Sequence, residues 1–283
     1  MTFSDVIPEF QRSFVKMHGL GNHFVIVDGR VESYRPDEAT IVRLCDPRFG
    51  IGADQLVVLE PPSAEGADVF MRLYNVDGRE VEACGNATRC VAWLLLEEQG
   101  ADSVVVETLA GTLDCERSGD HRVTCDLGVV SGDWQTIPMA EKTDTLKVDV
   151  PELGLESGVA VNVGNPHIVF FVDDLEALDI ETLAVSLQSN PMFPESVNVS
   201  FAEVHGPDRI LLIVYERGAG FTLACGTGAS AATWAARQRG LVEDGEVTVT
   251  LPGGDVQIEI ASVDDEYHAV MTGPVAFAFR GEL

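Results

Sequence analysis

Glu82-Ala83-Cys84-Gly85-Asn86-Ala87-Thr88-Arg89 has a near copy 141 residues downstream (225 minus 84), Leu223-Ala224-Cys225-Gly226-Thr227-Gly228-Ala229-Ser230. Each phrase sets a cysteine before a glycine and a small polar residue, at the head of an alanine-rich stretch that reads as a helix. A helix start lowers a thiol's pKa, because free backbone N–H groups and the helix dipole favour the thiolate. Two such thiols, one from each half of a chain, can address opposite faces of one carbon atom. Proton removal from one face and return to the other is the work of a racemase or epimerase.

The same offset aligns Tyr74 with Tyr215, Ala83 with Ala224, Gly85 with Gly226 and Trp93 with Trp234. Upstream, Leu20-Gly21-Asn22-His23-Phe24-Val25-Ile26-Val27 resembles Val163-Gly164-Asn165-Pro166-His167-Ile168-Val169-Phe170. Downstream, Glu107-Thr108-Leu109-Ala110-Gly111 resembles Val249-Thr250-Leu251-Pro252-Gly253. Three blocks in one order indicate internal duplication, and a period this long means paired domains, not a solenoid.

The chain has 283 residues and a formal charge of −28, from 46 acidic against 18 basic residues. Its lysines are Lys16, Lys142 and Lys147. The acids are scattered along the chain, and their repulsion is relieved as salt shortens the Debye length to about 3 Å at 1 M. We therefore expect a halophile's cytoplasmic protein whose melting temperature climbs from low to molar salt. A flat melting curve series would count against that expectation. The charge excludes a nucleic-acid footprint. No apolar run reaches the roughly 18 residues of a membrane span, so no membrane association is expected. The start, Met1 to Glu9, reads as a short ragged extension before a fold that begins near Arg12, not as a secretory signal. Six cysteines are too few for a disulfide framework of this size and are expected as thiols. No Cys-x-x-Cys pair or histidine cluster occurs, so no metal is predicted.

Local patterning predicts strands at 14–17, 24–28, 56–59, 69–74, 104–108, 112–115 and 122–127. It predicts helices from Asp37 to Cys45 and from Cys84 to about Glu98, with Gly100 placed to end the second. In the second half it predicts a strand from Arg209 to Tyr215, a helix from Gly226 to Arg239 and a turn at Pro252-Gly253-Gly254. The expected fold class is α+β: two pseudo-symmetric domains, each a mainly antiparallel sheet wrapped around a central helix, with the active site in the cleft between them. The expected domains are 12–130 and 131–274, with a final strand, 275–283, returning to the first.

Cys45, Cys90, Cys115 and Cys125 lie in apolar segments and read as core filler. Cys84 and Cys225, at helix starts, read as functional thiols. Backbone amides of Gly85, Asn86, Gly226 and Thr227 can bind a carboxylate, and the Asn86 and Thr227 side chains can add donors. The same two side chains also suit plain helix capping. Glu216-Arg217, at a strand end before a glycine turn, can hold an ammonium and a carboxylate, or form an ordinary surface ion pair. His167 can orient a thiol, or simply fill a turn.

Taken together, these phrases resemble the diaminopimelate epimerase family of cofactor-independent amino-acid racemases and epimerases. The resemblance runs from about Phe14 to the C-terminus. It rests on Gly21-Asn22-His23-Phe24, Asp54-Gln55-Leu56, Asn75-x-Asp77-Gly78 leading into Ala83–Arg89, Gly164-Asn165-Pro166-His167, Val197-Asn198-Val199, Tyr215–Gly220 and Ala224–Gly228. It implies interconversion of LL- and meso-2,6-diaminopimelate, in lysine and cell-wall precursor synthesis, by a two-base thiolate/thiol mechanism without cofactor. Cys84 and Cys225 take the catalytic positions, and His167 and Glu216 those that tune them. Asn22, Gln55, Asn75, Asn165, Asn198, Glu216 and Arg217 take substrate-lining positions, and a homodimer is implied. Three departures stand out: His23 where the family has Asp, Arg79 where a small polar residue is usual, and Phe221 where Glu is frequent. A proline or hydroxyproline epimerase would share the thiols but need no apparatus for a second amino-acid end. Nothing local distinguishes the two cysteines.

Overall fold

The computed structural model describes residues 12–283, and the extension expected before Arg12 lies outside them. The chain runs β1 (Ser13–Gly19), β2 (Asn22–Asp28), α1 (Glu38–Cys45), β3 (Gln55–Glu60), β4 (Val69–Asn75), β5 (Glu80–Val81), α2 (Gly85–Gln99), β6 (Ser103–Thr108), β7 (Gly111–Gly119) and β8 (Arg122–Val130). It continues through β9 (Val148–Val150), β10 (Leu155–Asn162), β11 (Pro166–Phe171), α3 (Ile180–Gln188), β12 (Asn198–Val204), β13 (Arg209–Glu216), β14 (Gly220–Phe221) and α4 (Gly226–Gln238). Last come β15 (Glu246–Leu251), β16 (Gly254–Val263), β17 (Glu266–Pro274) and β18 (Ala276–Glu282). Two compact units result. Among the described residues, the first holds those from Arg12 to Gly19, His23–Asp114 and Val275–Leu283, and the second holds Leu20–Asn22 and Cys115–Pro274.

Both units use one topology. In the first, β2 pairs parallel with β3, β3 antiparallel with β4, and β4 antiparallel with β5 but parallel with β6. In the second, β11 pairs parallel with β12, β12 antiparallel with β13, and β13 antiparallel with β14 but parallel with β15. A parallel pair needs a crossover, and α1, α2, α3 and α4 lie in the four crossovers. The sheets are therefore mixed, but antiparallel pairings predominate among the described strands, as alternating polarity leads us to expect, with four parallel pairings among them. The structure makes this an α+β protein with four α-helices and one short 3-10 helix, Pro151–Leu153, among the described residues.

The division falls after Asp114, where the sequence reading put it at 130/131. The cause is β8, which is laddered antiparallel to β17 from Val130↔Tyr267 to Arg122↔Pro274. At the C-terminus, β18 pairs with β1 from Ser13↔Glu282 to His18↔Ala276.

Helix starts and stops follow local chemistry. Asp37 caps α1, its carboxylate accepting from the Thr40 amide at 2.9 Å. Gly100 ends α2 in the left-handed region (φ 64°), its N–H donating to Leu96 O. In the second unit α4 is enclosed, packing against β8, β10 to β13 and β15 to β17. Its run Gly228–Ala236 is buried throughout. Apart from Trp234, the side chains there are short, which lets strands approach closely. In the first unit α2 buries Asn86–Ala92, Leu95 and Leu96, and it packs against β1 and β6.

Candidate active site

In the first unit the short β4/β5 hairpin delivers the chain to Cys84, which stands at the N-cap of α2 with extended backbone (φ −151°, ψ 112°). Its side chain makes no capping bond and is half-buried. Cys84 O accepts from the Thr88 amide and hydroxyl at 2.9 and 3.0 Å, which closes the first turn. The amides of Gly85 and Asn86 head the helix. Gln55 and Asn75 are opposed across β3 and β4, and Gln55 Nε2 donates to Asn75 Oδ1 at 3.0 Å. Gln55 Oε1 is buried without a donor.

Asn86 faces inward, its Oδ1 accepting from Arg89 Nη2 at 2.8 Å. Arg89 is 0 % exposed and was not singled out from the sequence. The available signal was a charge one turn into an otherwise small and apolar helix, a placement that requires partners. Close approach of Gly19 makes room for it, since a Cβ there would stand 3.0 Å from Arg89 Nη2.

Two of the departures have structural roles. The His23 amide donates to Asp54 Oδ2 at 2.8 Å, and His23 Nδ1 accepts from the Asp54 amide at 3.1 Å. A carboxylate in place of the imidazole would accept the same amide. Arg79 is exposed and bonds to Asp77, its Nε donating to Oδ2 at 2.7 Å.

In the second unit the β13/β14 hairpin leads to Cys225, the N-cap of α4 (φ −125°, ψ 106°). Unlike Cys84, Cys225 is buried at 5 % exposure, and its sulfur accepts from the Gly228 amide at 3.4 Å. Gly228 is small by necessity: a Cβ would lie 2.8 Å from Val214 and 3.3 Å from Cys225 Sγ. Likewise, a Cβ on Gly226 would meet Met271 Sδ at 2.9 Å. Burial, then the Glu216 carboxylate, push the Cys225 thiol well above the ordinary thiol range, while Thr227 and the Gly228 amide act the other way. The structure thus separates two cysteines that the sequence left alike.

His167, 0 % exposed on β11, lies in register with Asn198 of β12. Its Nε2 is 2.8 Å from Asn165 Oδ1 and 3.1 Å from Thr227 Oγ1, whereas its Nδ1 has no partner. Burial, then the Arg217 charge, lower its pKa to about 3, so the ring is neutral. Asn198 serves as scaffold: Nδ2 donates to Pro166 O at 2.9 Å and Oδ1 accepts from the Arg217 amide at 2.8 Å. The exposed Arg217 reaches Glu195 O through Nη1 at 2.8 Å. Thr222 Oγ1 donates to Glu216 Oε1, a contact the sequence did not suggest. The third departure, Phe221, stands edge-on to Tyr215 with centroids 5.1 Å apart.

Leu20–Asn22 belongs to the second unit, so Asn22 sits with Cys225's surroundings. A Cβ on Gly21 would come 2.8 Å from Leu223 Cδ1, and Leu223 O accepts from the Gly253 amide at 2.8 Å.

The shared topology makes positions comparable. Asn75 and Glu216 both end the strand before the cysteine hairpin, and Asn86 and Thr227 both follow the Cys-Gly pair. Phe24 pairs with Gln55 as His167 pairs with Asn198. At these matched places the first unit offers Asn75 and Phe24, and the second Glu216 and His167. Among the described residues, no group of three or more His, Cys, Asp or Glu could hold a metal.

Solved structures with this fold include a probable proline racemase from Agrobacterium radiobacter K84 (TM-score 0.69, 16% identity, 96% of this chain and 93% of that chain). Another is a hydroxyproline epimerase from Agrobacterium vitis (TM-score 0.69, 17% identity, 98% and 92%). The chain shares its fold with this racemase and this epimerase. The family model for diaminopimelate epimerase matches residues 14–132 and 159–278. The diaminopimelate epimerase of Phenylobacterium zucineum is 47% identical over 277 residues, covering 96% of this chain and 98% of its own. That of Erythrobacter litoralis is 49% identical over 271 residues, covering 95% and 96%. The chain belongs to the diaminopimelate epimerase family, and it is an isomerase.

Proposed function

We propose that this protein interconverts LL- and meso-2,6-diaminopimelate in lysine biosynthesis, using Cys84 and Cys225 as the two proton carriers. Family membership supports the substrate, and the observation that carries the chemistry is the placing of each cysteine at the N-cap of its own unit's helix. One sulfur, as thiolate, takes the α-proton. The electron pair is held against the α-carboxylate, whose growing charge meets the amides of Gly85, Asn86, Gly226 and Thr227. The other sulfur, as thiol, returns a proton to the opposite face. The roles exchange with direction, and no cofactor is required.

Asn22, Asn75, Asn165, Asn198, Glu216 and Arg217 surround the substrate in this reading. Gln55 Oε1 and His167 Nδ1, buried acceptors without donors, suit a ligand's N–H groups. Leaving such an atom unpaired costs about 1–3 kcal/mol, so binding a donor there recovers free energy. The active form is a homodimer in the cytoplasm, and the exposed Phe277 and Phe279 of β18 offer apolar surface for it. No described helix is long and apolar enough to cross a membrane.

The experiment is solvent deuterium exchange by the reduced protein at molar salt, with LL-diaminopimelate and proline in parallel. Exchange and epimerisation of diaminopimelate alone are expected. Exchange of proline alone would replace this reading with that of a proline epimerase, and exchange of neither would sink it.

A further inference from the structure

His167 is deeply buried and neutral, so one ring nitrogen carries hydrogen and the other a lone pair. Nε2 faces Asn165 Oδ1, which can only accept. Nε2 is therefore the protonated nitrogen, and Nδ1 carries the lone pair. It follows that Nε2 cannot accept from Thr227; its single N–H points to Asn165 Oδ1 and is shared, as a three-centre bond, with Thr227 Oγ1 at 3.1 Å. The Thr227 hydroxyl, with its oxygen so occupied, is left with its own hydrogen to give. The acceptor at hand is Cys225 Sγ, 3.5 Å from Oγ1 and within reach of a hydrogen bond to sulfur. The chain of donors thus runs from His167 to Thr227 to Cys225.

We propose that Thr227 is a positioning residue for the reaction: its hydroxyl, oriented by His167, donates to the Cys225 sulfur and sets how readily that sulfur carries negative charge. No proton leaves Thr227; it stabilises the thiolate by a hydrogen bond alone. The Gly228 amide gives the same sulfur a second donor, at 3.4 Å. Against these two stands the Glu216 carboxylate at the end of β13, which favours the S–H form. Arg217 is a further charge, and it acts on His167. Cys225 therefore sits between one set of groups that suits its thiolate and one that suits its thiol. A sulfur that must alternate between base and acid needs both. In the first unit the residue matched to Thr227 is Asn86, whose Oδ1 is engaged by Arg89. The His167–Thr227–Cys225 connection is confined to the second unit, because the residue matched to His167 is Phe24.

The test is a pH titration of Cys225 by ultraviolet thiolate absorbance. It uses a Cys84→Ala background, with the Cys84→Ala/Cys225→Ala protein subtracted. Thr227→Val keeps the backbone amide and the side-chain shape but removes the hydroxyl. The midpoint is expected to rise by about one pH unit, a tenfold loss of thiolate at fixed pH. Thr227→Ser should stay close to the parent, and Glu216→Gln should move the midpoint down. The signs matter: a variant that merely loosened the site would admit water and lower the midpoint, opposite to the expected rise. His167→Phe should raise it by less, and should add nothing further in a Thr227→Val background, because His167 acts through the hydroxyl. If Thr227→Val does not fold, Thr227→Ala carries the same expected sign. An unchanged or lowered midpoint, or additive effects of His167 and Thr227, would overturn the proposal. The inference rests on the two-thiol reading for its catalytic meaning, but the titration needs no substrate. If the variants titrate as expected yet the parent protein, with both cysteines, leaves diaminopimelate untouched, that reading is refuted and the link stands.

Discussion

Cys84→Ala and Cys225→Ala are each expected to reduce epimerisation by about 10²–10⁴-fold, the range for losing a positioned proton-transfer group. The reason is geometric. Inversion at carbon needs a group on each face, and a sulfur fixed at one helix N-cap serves one face. The remaining thiol has no way to return a proton to the side it does not touch. Residual deuterium exchange in either variant should therefore occur with retention, through the surviving sulfur alone. The two variants should also differ. Cys225 is buried beside Glu216, whereas Cys84 is half-buried and uncapped by its own side chain. Losing Cys225 removes the group held protonated by its surroundings, so Cys225→Ala should impair chiefly the proton-returning step of the direction that starts with Cys84 as base. Progress curves followed by circular dichroism in both directions, with exchange read by mass spectrometry, measure all of this. A loss below about tenfold in either variant would refute the two-base scheme, since one proton-transfer group is worth more than that.

The cysteine helices were legible in the sequence because their cues are local: a Cys-Gly pair, a small polar residue and a run of alanine. Asp37 and Gly100 were readable for the same reason. The strands β9 to β12 and helix α3 were not read. Pro166–Phe170 and Asn198–Ala202 are buried at every position, so the alternation that marks a half-exposed strand is absent. The four parallel pairings escaped for a related reason, because a crossover gives no sign in the strands it joins. Within the site, residue identities were readable but their partners were not. Asn198 was expected to line the substrate, but that its side chain also ties Pro166 O to the Arg217 amide could not be read from the sequence. Arg89 went unremarked, although its burial places it behind Asn86. The contrast between Cys84 and Cys225 depends on what packs over each helix start, which comes from residues far away in sequence.

Gly253→Ala is expected to cost about 1–3 kcal/mol of stability, as overpacking does, and to slow turnover by about 10²-fold, as misplacing a reacting group by an ångström can. Gly253 is not held in the left-handed region, so alanine suits its backbone and only close approach excludes a side chain. A Cβ there would fall 2.0 Å from Leu20 O and 2.9 Å from Leu223 O. Both are main-chain atoms, so no rotamer change relieves the contact and one of two segments must move. One carries Asn22, two residues beyond Leu20. The other carries Cys225, two residues beyond Leu223, and is tied to Gly253 by the 2.8 Å bond from its amide. Gly111, the match to Gly253 in the first-unit turn, is a contrasting case. Its φ of 128° calls for glycine, but nothing lies within 4 Å of a Cβ placed there. Gly111→Ala should therefore strain the turn without displacing either segment, lowering stability while leaving kcat near the parent value. Urea unfolding gives the stability change, and steady-state kinetics give kcat and KM. Displacement of Asn22 would raise KM, displacement of the Cys225 segment would lower kcat, and Gly253→Ala should show at least one. Parent-like kinetics in a folded Gly253→Ala protein would mean that the Pro252-Gly253-Gly254 turn does not brace the site.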